Sequence, residues 1–385
     1  MEPNLFQAGW TEFDAEELLT ILFEYIGKPG QYSDHEQYPN NFYLPLAGPS
    51  SQLKLTFSDD KKIVSIKAGP AFDAARWNSV VQEIENAGPL KTGRDISFCR
   101  YRVNGSWRGA RSGIQILPPP NGAPLLPYIM GDHPFMLEFP LHLSGRWPIA
   151  NFRRWRAHHR FTSLLNVLLL GGTTYQRHRS KHFWAVVPSD KPNEPDVKWL
   201  QEMYFANFGA AVLEEPSAPD AELLQVIESQ NYYATYGHDG GALRVPDDLD
   251  DSICRYLQLS KENRGKFDRA AYWMDMASRQ WEMSFSAVFA SLSMAIEALA
   301  ERDGSRPTTR FKKFIETYSP GAVSESRREK MYALRSGIVH GSDLMEIDQD
   351  AGHSWAPPEW NEKELMDELW GVSRVAARNW LKSAR

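Results

Sequence analysis

The chain is poor in cysteine: among 385 residues only Cys99 and Cys254 occur. Two thiols so far apart make no disulfide framework and cannot supply the thiolate set of a structural zinc site, so both read as ordinary thiols. Long apolar runs are missing too. The longest leucine-rich run, Leu164 to Leu170, is far too short to span a bilayer, and Met1 to Trp10 lacks a basic stretch followed by an apolar one. The expectation is a cytoplasmic protein with no membrane segment. No glycine-rich phosphate cradle and no serine-hydrolase elbow is present. His178 and His182 have metal-ligand spacing only on a helix, whereas their segment reads as a strand, and no third ligand stands out; no metal and no cofactor are expected.

One further absence is local. From Phe139 to Ser189 there is no Asp or Glu, while Arg146, Arg153, Arg154, Arg156, Arg160, Arg177, Arg179 and Lys181 are cationic and five His accompany them. The overall net charge is −6, and Glu214 to Asp251 is strongly acidic, so the charge is segregated along the chain. The basic run is interleaved with Trp147, Phe152, Trp155, Phe161, Tyr175, Phe183 and Trp184. Arg for phosphates and rings for stacking is the composition of an RNA-binding surface, which makes Arg153, Arg154, Arg156, Arg160, Arg177, Arg179 and Lys181 candidate RNA contacts. The competing reading is a solvated helix face above a core built from the same rings.

What is abundant is the material of a packed interior. Hydrophobic residues make up 42% and aromatics 12% of the chain, with thirteen Trp, which argues for ordered, aromatic-rich packing. The length favours two domains. Residues 1–245 read as α+β. Helical spacing covers 11–26, alternation predicts a hairpin over 52–67, and a helix follows over about 72–86. A second hairpin is expected from Ile96 to Leu117 around Asn104-Gly105, then an extended run from Phe135 to Leu143, and a helix capped by Asn151 and stopped by Gly171-Gly172. The acidic, glycine-containing stretch Gly237 to Asp251 reads as a linker. Residues 251–385 change to long helices, over 266–279, 281–302, 311–318, 324–340 and 362–383, enough for an all-α bundle.

The helix over 324–340 ends in Leu334-Arg335-Ser336-Gly337-Ile338-Val339-His340-Gly341. Arg335 is a permanent cation, His340 can exchange a proton near neutrality, and Gly341 is the residue type that stops helices. RNA cleavage without a metal needs a group to take the 2′-OH proton, one to protonate the leaving oxygen, and a cation against the phosphate. His340 and Arg335 can supply these, with Ser336 and Glu297 as supporting residues. Five positions apart, the two are offset by roughly 140° on a helix. They meet only at a bent helix end or across a dimer. The spacing alone decides nothing, since Arg153 with His158, Arg154 with His159 and Arg177 with His182 repeat it. A helix-end ion pair and cap would use the same residues. Asp343, Glu346, Asp348, Asp350 and His353 read as a solvated loop.

Three segments in order, Ala295-Ile296-Glu297-Ala298-Leu299, Phe311-Lys312-Lys313-Phe314-Ile315 and Tyr332 to Gly341, closely resemble the HEPN superfamily, specifically its Apea-like group, over about residues 251–385. The resemblance implies an all-α HEPN-type bundle that homodimerises. It also implies a metal-independent endoribonuclease of a toxin, abortive-infection or antiphage defence system, with Arg335 and His340 at the catalytic positions. RNA is the expected partner, with a regulatory or phage-derived trigger, and residues 1–245 would sense, recruit or restrain. The alternative is a non-catalytic HEPN module for dimerisation and RNA or nucleotide binding.

Overall fold

The computed structural model describes residues 5–7, 10, 14–27, 41–44, 53–59, 62–86, 88–118, 133–170, 173, 184–187, 196–199, 223–234, 241–281, 283–349 and 357–384. A sheet-containing N-terminal region precedes a helical C-terminal region, and the chain divides into two compact units, 1–93 with 140–157 and 94–139 with 158–385.

In the first unit, helix α1 (Ala15–Tyr25) starts where Asp14 accepts hydrogen bonds from the Glu16 and Glu17 amides at 3.0 and 3.1 Å. Strands β1 (Asn41–Leu44), β2 (Leu53–Phe57) and β3 (Ile63–Ala68) form an antiparallel meander. Helix α2 (Ala74–Glu85) is capped by Asp73. The apolar faces meet in one core with Leu18, Ile21, Leu22, Leu53, Leu55, Ile66, Trp77, Val80 and Ile149, the outcome expected when period-2 and period-3.6 stripes face each other.

Asp14 also takes a hydrogen bond from Arg156 at 2.5 Å. Burial would raise its carboxyl, but Arg156 and the helix amides outweigh burial and hold it below its ordinary 3.8. A depressed folded value means the unfolded chain binds more protons, so the contribution is full above 3.8 and is lost as pH falls through the lower folded value. Asp14→Asn is therefore expected to lower the melting temperature at neutral pH and to narrow its gap from wild type as pH drops below about 4, read by calorimetry.

Strand β4 (Leu90–Cys99) does not form the expected hairpin. The sheet order is β4-β7-β6-β5, with β5 (Trp107–Arg108), β6 (Gln115–Leu117) and β7 (His133–His142). Asn104-Gly105 is not the turn. Instead Ser106 bridges Leu223 and Arg102 bridges Ala242, and a Cβ on Gly105 would lie 2.9 Å from the Leu223 carbonyl carbon. That close approach is the reason for the glycine.

Helix α3 (Trp147–Leu168) begins four residues earlier than Asn151. Pro148 suits a first turn, where amides are unpaired anyway, and Asn151 lies inside the helix, accepting from Arg154 at 3.1 Å. Strands β8 (Trp184–Val187) and β9 (Asp196–Trp199) pair antiparallel, and β10 (Val226–Ile227) pairs parallel with β11 (Val245–Pro246), with α4 (Ser229–Ala234) between the latter two.

The acidic stretch is not a linker where it is described. Val245 and Leu249 are fully buried, helix α5 (Leu249–Gln258) begins inside it, and Asp248 receives Arg378 and Lys382, each at 2.5 Å. Asp250 accepts from the Arg111 and Ser112 amides at 2.9 and 3.1 Å. Asp248 and Asp250 are thus engaged by cations and amides distant in sequence. Helices α6 (Lys261–Gln280), α7 (Phe285–Leu299), α8 (Pro307–Tyr318), α9 (Glu325–His340), α10 (Glu346–Gln349) and α11 (Pro357–Ser383) complete the second unit. Phe267, Phe289, Leu292, Ile296, Phe311, Ile315 and Leu369 are buried among them.

Candidate functional site

The geometry begins with how α7 and α9 are held. Ser284 caps α7, accepting from the Ala287 amide at 3.1 Å. Asp348 strengthens that end, accepting from the Phe285 and Ser286 amides at 2.9 and 2.6 Å and from the Ser284 hydroxyl at 2.9 Å. Burial would raise the Asp348 carboxyl, yet these donors hold it below its ordinary value, as a helix N-terminus favours a carboxylate. Asp348 is thus part of the framework and not a solvated loop residue.

Ser324 caps α9, accepting from Arg327 at 3.3 Å, and Gly341 ends it in the left-handed region with φ 72°. The Gly341 amide donates to Ile338 at 3.1 Å and the Ser342 amide to Gly337 at 2.9 Å, the paired bonds of a Schellman end. A Cβ on Gly341 would meet nothing within 4 Å, so only backbone strain opposes a side chain there. Gly341→Ala is expected to cost about 1 kcal/mol in chemical denaturation. Gly337 has a different task, because a Cβ on it would lie 2.7 Å from the Asp343 Cβ. Its bare backbone lets the loop fold back over the last turn.

Arg335 and Glu297 meet. Arg335 Nη2 donates to Glu297 Oε2 at 2.6 Å, and the guanidinium lies 5.6 Å from the Tyr332 ring centroid. Tyr332 in turn packs on Phe311 with ring centroids 5.6 Å apart. The Arg335 side chain is 14% exposed and that of Glu297 28%. Arg335 Nε and Glu297 Oε1 have no hydrogen-bond partner among the described residues. Tyr332 was not singled out as a site residue from the sequence; its place one turn before Arg335 is the signal that would have found it.

His340 is exposed in the final turn. Among the described residues it makes no hydrogen bond or ion pair, and nothing joins it to Arg335 within one copy. In the same stretch of chain Val339 is 39%, Leu344 48% and Ile347 39% exposed. Ser336 is half-buried with no side-chain hydrogen bond among the described residues. Met331 is the one fully buried side chain of α9, and Val339 and His340 at its end are exposed.

The basic run separates into different fates. Arg153 is 9% exposed and locked between Glu17 at 2.6 Å and Glu83 at 3.0 Å. Arg156 is bound to Asp14 at 2.5 Å. Both are engaged in ion pairs within the first unit, and Arg156 keeps 31% of its side chain exposed. Arg154 and Arg160 are half-buried, Arg154 against Asn151. Arg177, Arg179 and Lys181 lie outside the described residues.

His158 belongs to a polar core. Its Nε2 lies 2.8 Å from Ser97 Oγ and its Nδ1 3.7 Å from Asp95 Oδ2, an order that resembles a hydrolase relay. Ser97 has no exposed surface, and its hydroxyl also meets Thr162 at 2.9 Å. A nucleophile needs access, so this is core hydrogen bonding. Among the described residues no group of three His, Cys, Asp or Glu is placed to hold a metal ion, and no helix is long and apolar enough to cross a membrane. Compared with known proteins, the chain matches no family model, no curated protein and no solved structure.

Proposed function

We propose that the chain is a metal-independent HEPN-type endoribonuclease that acts as a homodimer, with α9 of two copies lining one site. The observation that carries this reading is that one helix end carries both an exposed His340, with no hydrogen bond or ion pair among the described residues, and an Arg335 held in place by Glu297 and Tyr332. The exposed apolar side chains Val339, Leu344 and Ile347 in the same stretch of chain support a second copy as the neighbour.

In this mechanism one His340 takes the proton of a ribose 2′-OH, whose oxygen attacks the adjacent phosphorus. The bond to the 5′-oxygen breaks, and the second copy's His340 protonates that oxygen. The products are a 2′,3′-cyclic phosphate and a 5′-OH. Arg335 offsets charge on the non-bridging oxygens, and Glu297 is a positioning residue that fixes the guanidinium. Such an activity suits a toxin-like or antiphage effector in which the N-terminal region receives the trigger.

The test is incubation of the purified chain with labelled RNA in EDTA beside Arg335→Ala and His340→Ala. Cleavage by wild type alone is expected; equal cleavage by all three overturns the proposal. A second reading, a non-catalytic HEPN module for dimerisation and RNA or nucleotide binding, is favoured by the neutralisation of Arg335 by Glu297 within one copy. It predicts RNA retention with no cleavage in the same experiment.

A further inference from the structure

Three arginines of the described residues are almost wholly buried: Arg94, Arg374 and Arg378. Two of them have a carboxylate, Arg94 with Glu138 at 2.8 Å and Arg378 with Asp248 at 2.5 Å. Arg374 has none. It is 0% exposed, yet its hydrogen bonds go to neutral oxygens, Nη1 to the Trp370 carbonyl at 3.3 Å and Nη2 to the Ser278 hydroxyl at 3.1 Å. Its Nε has no partner among the described residues. A buried cation without a counter-ion is among the costliest features a core can hold.

A second cation stands nearby. Arg100, just past the end of β4, lies with its guanidinium carbon 5.2 Å from the Trp281 ring centroid and 5.3 Å from that of Trp370, and has no hydrogen bond or ion pair among the described residues. Arg374 lies 3.7 Å from the same Trp370 ring, and the two indoles meet edge-on at 4.7 Å. The carboxylate that Arg374 feels, Asp275, is already paired with Arg279 at 2.5 Å. Three guanidiniums against one carboxylate leave two positive charges. Burial first, and the Arg100 charge second, push Arg374 down to about 9, the behaviour of a cation waiting for an anion.

We propose that Arg100, Arg374, the Ser278 hydroxyl and the Trp281 and Trp370 rings form a binding site for a phosphate-class dianion. Two uncompensated guanidiniums match a dianion in charge, and their planar forks match tetrahedral oxyanions bidentately. Arg100, Trp281 and Trp370 are partly exposed. They form the entrance, with Arg100, whose contacts among the described residues are with the two ring faces, as its wall. The indoles beside it suit a phosphate carried on a planar base as well as free phosphate.

The experiment uses the full chain at neutral pH with inorganic phosphate, adenosine monophosphate, a dinucleotide phosphodiester, or chloride at matched ionic strength. Readouts are the thermal midpoint and the phosphorus NMR linewidth. Phosphate and the monophosphate are expected to raise the midpoint with the logarithm of concentration and to broaden the resonance. The phosphodiester, a monoanion, is expected to bind at least about tenfold more weakly. A larger effect of the nucleotide than of phosphate identifies a nucleotide ligand, and equal effects identify free phosphate. Arg100→Gln, at a partly exposed position, should remove both readouts, and Arg374→Lys, which keeps the charge but loses the fork, should weaken binding about tenfold or more. The proposal is overturned if neither phosphate nor the monophosphate does more than chloride, or if Arg100→Gln responds as wild type. Neither outcome depends on RNA cleavage.

Discussion

His340→Ala is expected to reduce RNA cleavage by about 10²–10⁴-fold, the usual contribution of a positioned acid or base. Arg335→Ala should cost about 10²–10³-fold, the usual loss when one charge-stabilising donor is removed. Neither change should disturb folding much, because His340 is exposed with no hydrogen bond or ion pair among the described residues, and Arg335→Ala removes one ion pair whose Glu297 side chain is 28% exposed to water. Circular dichroism of both variants should therefore overlay wild type. A sharper form of the experiment mixes wild type with an excess of His340→Ala. If the site draws a His340 from each copy, heterodimers lose one of the two proton-transfer groups and cleavage falls as His340→Ala is added. If each copy works alone, the wild-type rate is unchanged. Glu297→Gln provides a third comparison: the hydrogen bond at 2.6 Å can persist while the charge is lost. Cleavage should fall less than in Arg335→Ala, because the amide oxygen can still accept from the guanidinium.

The second large effect is on stability. Arg94 and Glu138 bridge β4 and β7, with side chains 6% and 3% exposed and Arg94 Nε donating to Glu138 Oε1 at 2.8 Å. Glu138→Ala removes the buried carboxylate that Arg94 Nε donates to and is expected to cost about 3–5 kcal/mol. Replacing both partners with apolar residues of similar volume, Arg94→Met with Glu138→Leu, removes both desolvation costs together. The double variant should unfold close to wild type or later. Denaturant titration separates the cases. A double variant as unstable as Glu138→Ala would show that the pair does more than satisfy its own charges.

Much of the helical region is legible in the residues themselves. Ser324 and Gly341 mark the ends of α9 by their chemistry, and the apolar stripe Phe289, Leu292, Ile296 and Leu299 marks α7. The association of Glu297 with Arg335 follows from two such stripes packing together. Other features were hidden for physical reasons. Helix α5 begins within an acidic stretch because its carboxylates answer Arg378, Lys382 and the Arg111 loop, none of them near in sequence. Arg153 looks free in a run without acids, yet Glu17 and Glu83 reach it from α1 and α2. A charge count along the chain cannot anticipate such pairings. The strand over 96–103 was recognisable, but its neighbour was not, because β7 and not the adjacent hairpin competes for its edge.

The loop after His340 is fastened at both ends. Gly341 and Ser342 tie it to α9, while Asp348 and the bond from the Met345 amide to Ser286 at 2.8 Å tie it to α7. Val339, Leu344 and Ile347 are consequently exposed on a stretch whose backbone is braced by those bonds. A second copy meeting that stretch would forfeit little ordering entropy, so pairing would draw its selectivity from shape held in advance.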